Sequence, residues 1–259
     1  MCYETSQLAE KLYREAIRIG APQEDINRLK LKWEQLKSEF PGYYHTSGFG
    51  HSKLAVICSK KNTIDLKLCT WGLIPNWTKD EKFARQIWNR TINARGESIF
   101  EKPSFKMAAH KGRCILPLNG FYEHHHKNGR TFPYYIQASN KKRMLIGAIK
   151  DCWTNKDTGE IIDSFSIVTT EGNTLLSSIH NNPKLEGPRM PLILNEKDSA
   201  QWLNGNNKDA IALLKPNQSI DLNAHTVQKL KGTFYLGNQQ SVQDEHLYPE
   251  LNSNPGLFD

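Results

Sequence analysis

The dipeptide Asn128-Gly129 limits what this chain can fold into more than any other feature. Both residues tolerate positive φ, which a two-residue hairpin turn of the primed type requires, and β-forming runs flank the pair. Upstream, an apolar strand from Arg113 to Leu118 runs through Asn119-Gly120-Phe121-Tyr122-Glu123 into three histidines, His124 to His126; downstream, 131–137 returns. Two further turns repeat the device. Lys60-Lys61-Asn62 joins runs at 53–59 and 63–70, and Asp157-Thr158-Gly159 leads into the strongly β-forming 161–170. Runs at 143–150, at Met190-Pro191-Leu192-Ile193-Leu194 and at 219–230 add strands. Strands joined by tight turns pair antiparallel, so the sheet is expected to be mostly antiparallel.

Helical periodicity sits at both ends of the chain. Residues 5–19 place Leu8, Leu12, Ile17, Ala9 and Ala16 on one stripe, which Gly20-Ala21-Pro22 ends. A second helix follows Pro22, with Ile26, Leu29, Trp33, Leu36 and Phe40 on one face, and Pro41-Gly42 stops it. Short helices are expected over 171–180, 196–203 and 207–214, and loops over 43–51 and around Lys102 and Lys106. With 259 residues, no internal repeat and no linker, the expectation is one α+β domain: a mostly antiparallel sheet curled into a barrel-like core with peripheral helices. It should span 1–236, and the Asn/Gln-rich 237–259 reads as a loose polar tail.

Charge and cysteines narrow the class. Lys plus Arg number 34 against 27 acids, a net +7 that suits a polyanion partner as well as it suits an ordinary soluble surface. The five cysteines are odd in number and contain no CxxC pair, so a zinc knuckle or redox motif is not expected. Cys58, Cys69, Cys114 and Cys152 lie in or beside apolar runs and read as buried, reduced thiols. No signal peptide and no apolar run of ~20 residues is visible, which predicts a cytoplasmic protein without a membrane partner.

Cys2 is the residue with unusual chemistry. Once Met1 is removed, one skeleton carries a free α-amine, titrating near ~8, beside a thiol near ~8.5. Such a pair condenses with an aldehyde, first to an imine and then to a five-membered thiazolidine. Position alone favours the bland reading, that any chain may carry cysteine second. Asn93, Glu123 and His180 also stand out, yet each has an ordinary alternative: a helix cap, a solvated strand-end carboxylate, a hydrogen-bonded imidazole. The three consecutive histidines cannot all face one ion from a strand, so no metal is expected there. Trp71 reads as a core residue. Trp77, in the Gly- and Pro-containing loop that follows, reads equally as core plug or stacking platform.

Taken together and in order, the motifs resemble the SOS-response-associated peptidase (SRAP) family of abasic-site processing proteins. The matching stretches are Met1-Cys2, Trp71-Gly72-Leu73-Ile74-Pro75-Asn76-Trp77, Ile92-Asn93-Ala94-Arg95-Gly96-Glu97, Arg113 to Glu123, Phe165 to Thr170, and Ile179-His180 with Arg189-Met190-Pro191, over roughly 1–200. Tyr3-Glu4 stands where the family commonly has Gly-Arg, and the segment from His180 to Arg189 is longer than its usual form. The resemblance implies a cofactor-free enzyme of the DNA damage response that crosslinks to abasic single-stranded DNA through Cys2, with lyase and self-processing side activities. It implies a monomer, associated with the nucleoid during damage. Glu123 would be the general acid/base, His180 the proton donor to the sugar oxygen, and Asn93 the group orienting the Cys2 amine. Arg95, Arg189, Lys106 and Arg85 would meet phosphates, and Trp77 and Phe49 would stack on bases. The rival readings are a single-stranded DNA binding module without chemistry and a cysteine peptidase acting on other proteins.

Overall fold

The computed structural model describes residues 2–60, 63–217 and 220–252. In chain order its elements are β1 (Glu4–Gln7), α1 (Arg14–Arg18), α2 (Gln23–Leu36), β2 (Tyr43–Ser47), β3 (Lys53–Lys60), β4 (Thr63–Trp71), α3 (Glu81–Trp88), β5 (Asn93–Arg95), α4 (Pro103–Lys111) and β6 (Arg113–Leu118). The remainder are β7 (Gly120–Lys127), β8 (Arg130–Ala138), β9 (Met144–Thr154), β10 (Ile161–Glu171), α5 (Thr174–Ile179), β11 (Arg189–Pro191), β12 (Ile193–Leu194), α6 (Glu196–Asn204), α7 (Asn207–Ala212), β13 (Leu222–Thr226) and α8 (Pro249–Asn252).

Five strands close on themselves in the order β10-β4-β3-β6-β9, with β9 pairing back onto β10. Closure removes the sheet edges, and the barrel interior holds Leu54, Val56, Leu116, Ile146 and Phe165 with essentially no exposure. Every barrel pairing is antiparallel except β4 with β10. Short β5 also runs parallel to β10, and β11 runs antiparallel to it. The α+β fold is therefore a barrel core with peripheral helices.

A second sheet, β13-β8-β7-β1-β2, leans against the barrel. Asn128 and Gly129 both take positive φ, and the β7–β8 hairpin closes on the Lys127↔Arg130 pair. The chain changes sheet at Asn119, whose Oδ1 accepts from the Leu8 amide at 2.9 Å and whose amide donates to the Ser6 carbonyl at 2.9 Å. Gly120 follows because a Cβ there would lie 2.3 Å from the Tyr135 ring. Buried Gln7 completes the joint. Its Nε2 donates to the carbonyls of Ala55 and Pro117, both at 2.8 Å, and its Oε1 accepts from the Ala55 amide.

Several elements differ from expectation. The helix expected over 5–19 is confined to α1, because residues 4–7 pair with β2 on one side and β7 on the other. Tertiary pairing overrides the local apolar stripe. The 43–51 stretch is strand β2 followed by a 3-10 turn (Gly48–Gly50), rather than a loop, because β1 gives it a partner. Asn93 and Arg95 lie on a strand, not a loop, held by β10. Lys106 lies on helix α4, where Pro103 takes the first turn that needs no amide donor. Cys152 is exposed, because the β9 alternation turns Trp153 inward instead. The stretch read as a loose tail is packed as far as the structure describes it: Val242 is buried and Gln243 Nε2 donates to Ser6 Oγ at 2.8 Å. The expected turn at Lys61-Asn62 and residues 253–259 lie outside the described residues.

Candidate active site

Strand β1 fixes Cys2. Glu4 pairs with Tyr122 of β7 and Ser47 of β2, so the two residues before it are held where β7 carries Glu123. The Cys2 side chain is fully buried. Burial pushes its thiol far above the ordinary range, and the charge of Glu123 pushes it further the same way. The thiol is therefore neutral at pH 7.

Asn93, the first residue of β5, reaches Cys2 from the barrel side. Its Nδ2 donates to the Cys2 carbonyl at 2.7 Å, while its buried Oδ1 has no hydrogen-bond partner among the described residues. Such an orphan acceptor costs roughly 1–3 kcal/mol and marks a place where a ligand group can bond.

Glu123 and His180 face each other. Glu123 is 7 % exposed and His180 3 %. Helix α5, capped by Asn173 through the Leu176 amide at 2.9 Å, ends with His180 as its C-cap. His180 Nδ1 lies 3.4 Å from Glu123 Oε2, 3.2 Å from the Arg189 amide and 3.1 Å from the Arg189 carbonyl. Bare, that nitrogen accepts from the amide; protonated, it donates to the carbonyl and faces the carboxylate. Both states of one ring nitrogen thus have a partner in place, as a group that takes and returns a proton needs.

A cleft of about 290 Å³ opens alongside, lined by Arg95, Glu171, Glu186 and Arg189 among others. Arg95 Nη1 pairs with Glu186 Oε2 at 3.1 Å on the surface. Arg189 is tied down: Nη1 and Nη2 bond both oxygens of Glu97, at 2.6 and 2.9 Å, and Nη2 also donates to the Thr169 carbonyl at 2.8 Å. Burial raises the Glu97 carboxyl, but the Arg189 hydrogen bonds, a backbone hydrogen bond and the charges of Arg189 and Arg95 together hold the group below its usual range.

The structure thus brings Cys2, Asn93, Glu123 and His180 into one cluster with the backbone of Arg189, and sets Arg95 on the adjoining cleft. Phe49 is 56 % exposed and stacks on Tyr3, ring centroids 5.2 Å apart, directly beside Cys2. Trp71 is buried, with Nε1 donating to the Ile92 carbonyl at 3.0 Å. Trp77, 43 % exposed, spans α3 and α4: its ring lies 6.0 Å from Phe83 and Nε1 donates to the Pro103 carbonyl at 3.2 Å. Arg85 and Lys106 are carried on those same two helices, with Arg85 paired with Glu81. Sequence reasoning gave Glu97 no role. Its position in Asn93-Ala94-Arg95-Gly96-Glu97 was visible, but the partner that defines its role lies 92 residues away. Among the described residues no group of three His, Cys, Asp or Glu side chains could hold a metal ion, and no helix is long and apolar enough to cross a membrane.

A barrel-cored α+β protein that seals its second residue between a strand asparagine and a glutamate–histidine pair defines a class built around its own N-terminal segment. The chain belongs to the SOS response associated peptidase (SRAP) family, whose pattern it matches over residues 13–233. It is similar to the abasic site processing protein YoqW of Bacillus subtilis, 35 % identical over 62 % of this chain and 68 % of that one. It is also similar to YoaM, an abasic site processing protein of the same organism, at 33 % identity over 75 % of this chain and 81 % of that one. Among solved structures, a Bacteroides thetaiotaomicron protein superposes with a TM-score of 0.79 at 31 % identity, covering 95 % of this chain and all of that one.

Proposed function

We propose that the protein processes abasic sites in single-stranded DNA by forming a thiazolidine crosslink through Cys2. The observation that carries this reading is the Asn93 bond to the Cys2 carbonyl with the Glu123–His180 pair beside it. The names of its relatives, abasic site processing proteins, support the substrate.

The amine must first be freed. Water adds to the Met1 carbonyl carbon, the Met1–Cys2 C–N bond breaks, and a proton from that water passes to the nitrogen, releasing free methionine and the Cys2 amine. Met1 itself lies outside the described residues. The freed amine then attacks the aldehyde carbon of the opened sugar to give a carbinolamine. Loss of one water leaves the imine. The Cys2 sulfur adds to the imine carbon and its proton ends on nitrogen, closing the ring. Because the buried thiol is neutral, nitrogen reacts before sulfur, and a base must take the thiol proton as the S–C bond forms. In this reading Glu123 takes that proton, and His180 delivers one to the departing oxygen. The imine also acidifies the adjacent sugar carbon, so β-elimination of the 3′ phosphate, a lyase reaction, is a side path. Arg95 meets a phosphate in the cleft, and Phe49 and Trp77 offer faces for bases.

The test is intact mass after incubation of the full chain with an oligonucleotide carrying one abasic site. Loss of one methionine together with a covalent adduct is expected, and Cys2→Ala should still bind but give no adduct. A chain that retains Met1 and forms no adduct overturns the reading.

A further inference from the structure

A second cavity of about 700 Å³ begins one residue from Cys2, on the opposite face of β1 and β7 from Glu123. Tyr3, Phe49 and Tyr235 give it aromatic walls, and Glu4, His45 and His124 line it as well. Its size is that of a pocket for a small organic ligand. Phe49 presents an open ring face, since its other side rests on Tyr3.

The polar groups are arranged for recognition rather than for an internal bond. The Glu4 side chain is only 16 % exposed. Its Oε1 lies 3.4 Å from His45 Nε2 and its Oε2 3.7 Å from His124 Nδ1, beyond good hydrogen-bond distance for a charged pair. His45 is more than nine-tenths buried; Nδ1 is 2.7 Å from the Tyr235 hydroxyl, while Nε2 has no hydrogen-bond partner among the described residues. A carboxylate has about four lone-pair sites, and these contacts leave most of them for a ligand. Lys231 also lines the cavity, but the carboxylate, beside an open aromatic face, accepts from N–H groups on the edge of a stacked ring. Guanine presents two such donors side by side, N1–H and the 2-amino group, and matches both oxygens. Adenine and cytosine offer one amino group, and thymine a single N–H.

We propose that this cavity is a nucleobase subsite that selects guanine next to the abasic position, with Glu4 reading the base edge and Phe49 stacking on its face. The proposal rests on the DNA reading above, and its test is independent of the chemistry. Single-stranded oligonucleotides carrying a tetrahydrofuran abasic analogue, which has no aldehyde, are flanked on either side by guanine, inosine, adenine, cytosine or thymine. Their affinities for the full chain are measured by fluorescence anisotropy. Guanine on one flank should bind about fivefold or more tighter than thymine, with inosine, which lacks the 2-amino group, between them. Glu4→Gln should level the series, whereas Phe49→Ala should weaken every oligonucleotide by about fivefold or more. Equal affinities for all flanks, or a guanine preference that survives Glu4→Gln, overturn the subsite. Loss of adduct from aldehyde-bearing DNA would instead count against the crosslinking reading alone.

Discussion

Asn93 uses one end of its amide and leaves the other idle. Nδ2 bonds the Cys2 carbonyl, and Oδ1 is buried without a hydrogen-bond partner among the described residues. In Asn93→Ala the lost bond, about 0.5–1.5 kcal/mol, is offset by relief of the orphan acceptor, so stability should change by less than about 1 kcal/mol. In the proposed reaction the Cys2 amine loses its orienting group, so adduct formation should slow by about tenfold or more. Denaturant midpoint and adduct rate, measured on the same preparation, separate the two effects. Glu123 permits a sharper test, because its two roles move in opposite directions. Its charge raises the Cys2 thiol, so Glu123→Gln should lower the thiol pKa and increase the thiolate present at any given alkaline pH. Burial, the larger cause, keeps the thiol above its ordinary value even so. If Glu123 is the base, the same variant should crosslink about 100-fold more slowly despite the more acidic thiol. A thiolate absorbance titration beside the adduct rate reads both, and faster crosslinking in Glu123→Gln would remove Glu123 from the base role.

Elements were legible where local signals and tertiary pairing agreed. Helix α2 follows its Leu29 and Trp33 stripe, and the Asn128-Gly129 hairpin takes the positive φ angles its composition asks for. Strands β1, β2 and β5 were not legible, because their partners lie far away in sequence: Glu4 against Tyr122, Asn93 against Ile167. The same physics governs the site. Cys2, Asn93, Glu123 and His180 stood out through ordered motifs, whereas Glu97 and His45 are defined by partners that no local pattern names. Glu97 ties the 3-10 turn (Gly96–Ser98) to β11 through Arg189. Its carboxyl is held below the usual range, so this tie is present above the ordinary carboxylate pKa of about 4.3 and fades as pH falls through the lower folded value. Half the Glu97 side chain is exposed, and solvent screening limits the tie to roughly 0.5–1 kcal/mol. Glu97→Gln should therefore lower the Tm at neutral pH, and its difference from the unmodified chain should close in acid. A gap that widened in acid would contradict this account.

At the scale of the whole molecule, the site lies on the seam between the two sheets. Cys2 and Glu123 come with the five-stranded sheet, whereas Asn93 and Arg189 come with strands laid against the barrel. Anything that loosens the five-stranded sheet moves half the cluster relative to the other half. The C-terminal segment is such a clamp. Asn238 Oδ1 accepts from the amides of Tyr44 and His45, and Gln243 Nε2 donates to Ser6 Oγ and the Tyr44 carbonyl. The Thr226 hydroxyl donates to the His246 carbonyl, and the Tyr248 hydroxyl to the Val227 carbonyl. The Gln243 bonds bridge β1 and β2, the others fasten the segment to β2 and to Thr226 and Val227, and Cys2 lies two residues before β1. Truncation after residue 236 removes them all and uncovers Val227, which packs with Val242. At roughly 0.5–1.5 kcal/mol per net hydrogen bond, partly compensated by water at the surface, the loss should be about 2–5 kcal/mol. For a domain of this size that is a Tm lower by ~5–15 °C. Because β1 is the strand released, the truncated chain should also crosslink more slowly below its Tm, while a Tyr248→Phe variant, which loses only the outermost bond, should keep the full rate. Thermal melts and adduct rates on both proteins test this, and a truncated chain that melts and crosslinks like the full one would show that the segment does not clamp the site.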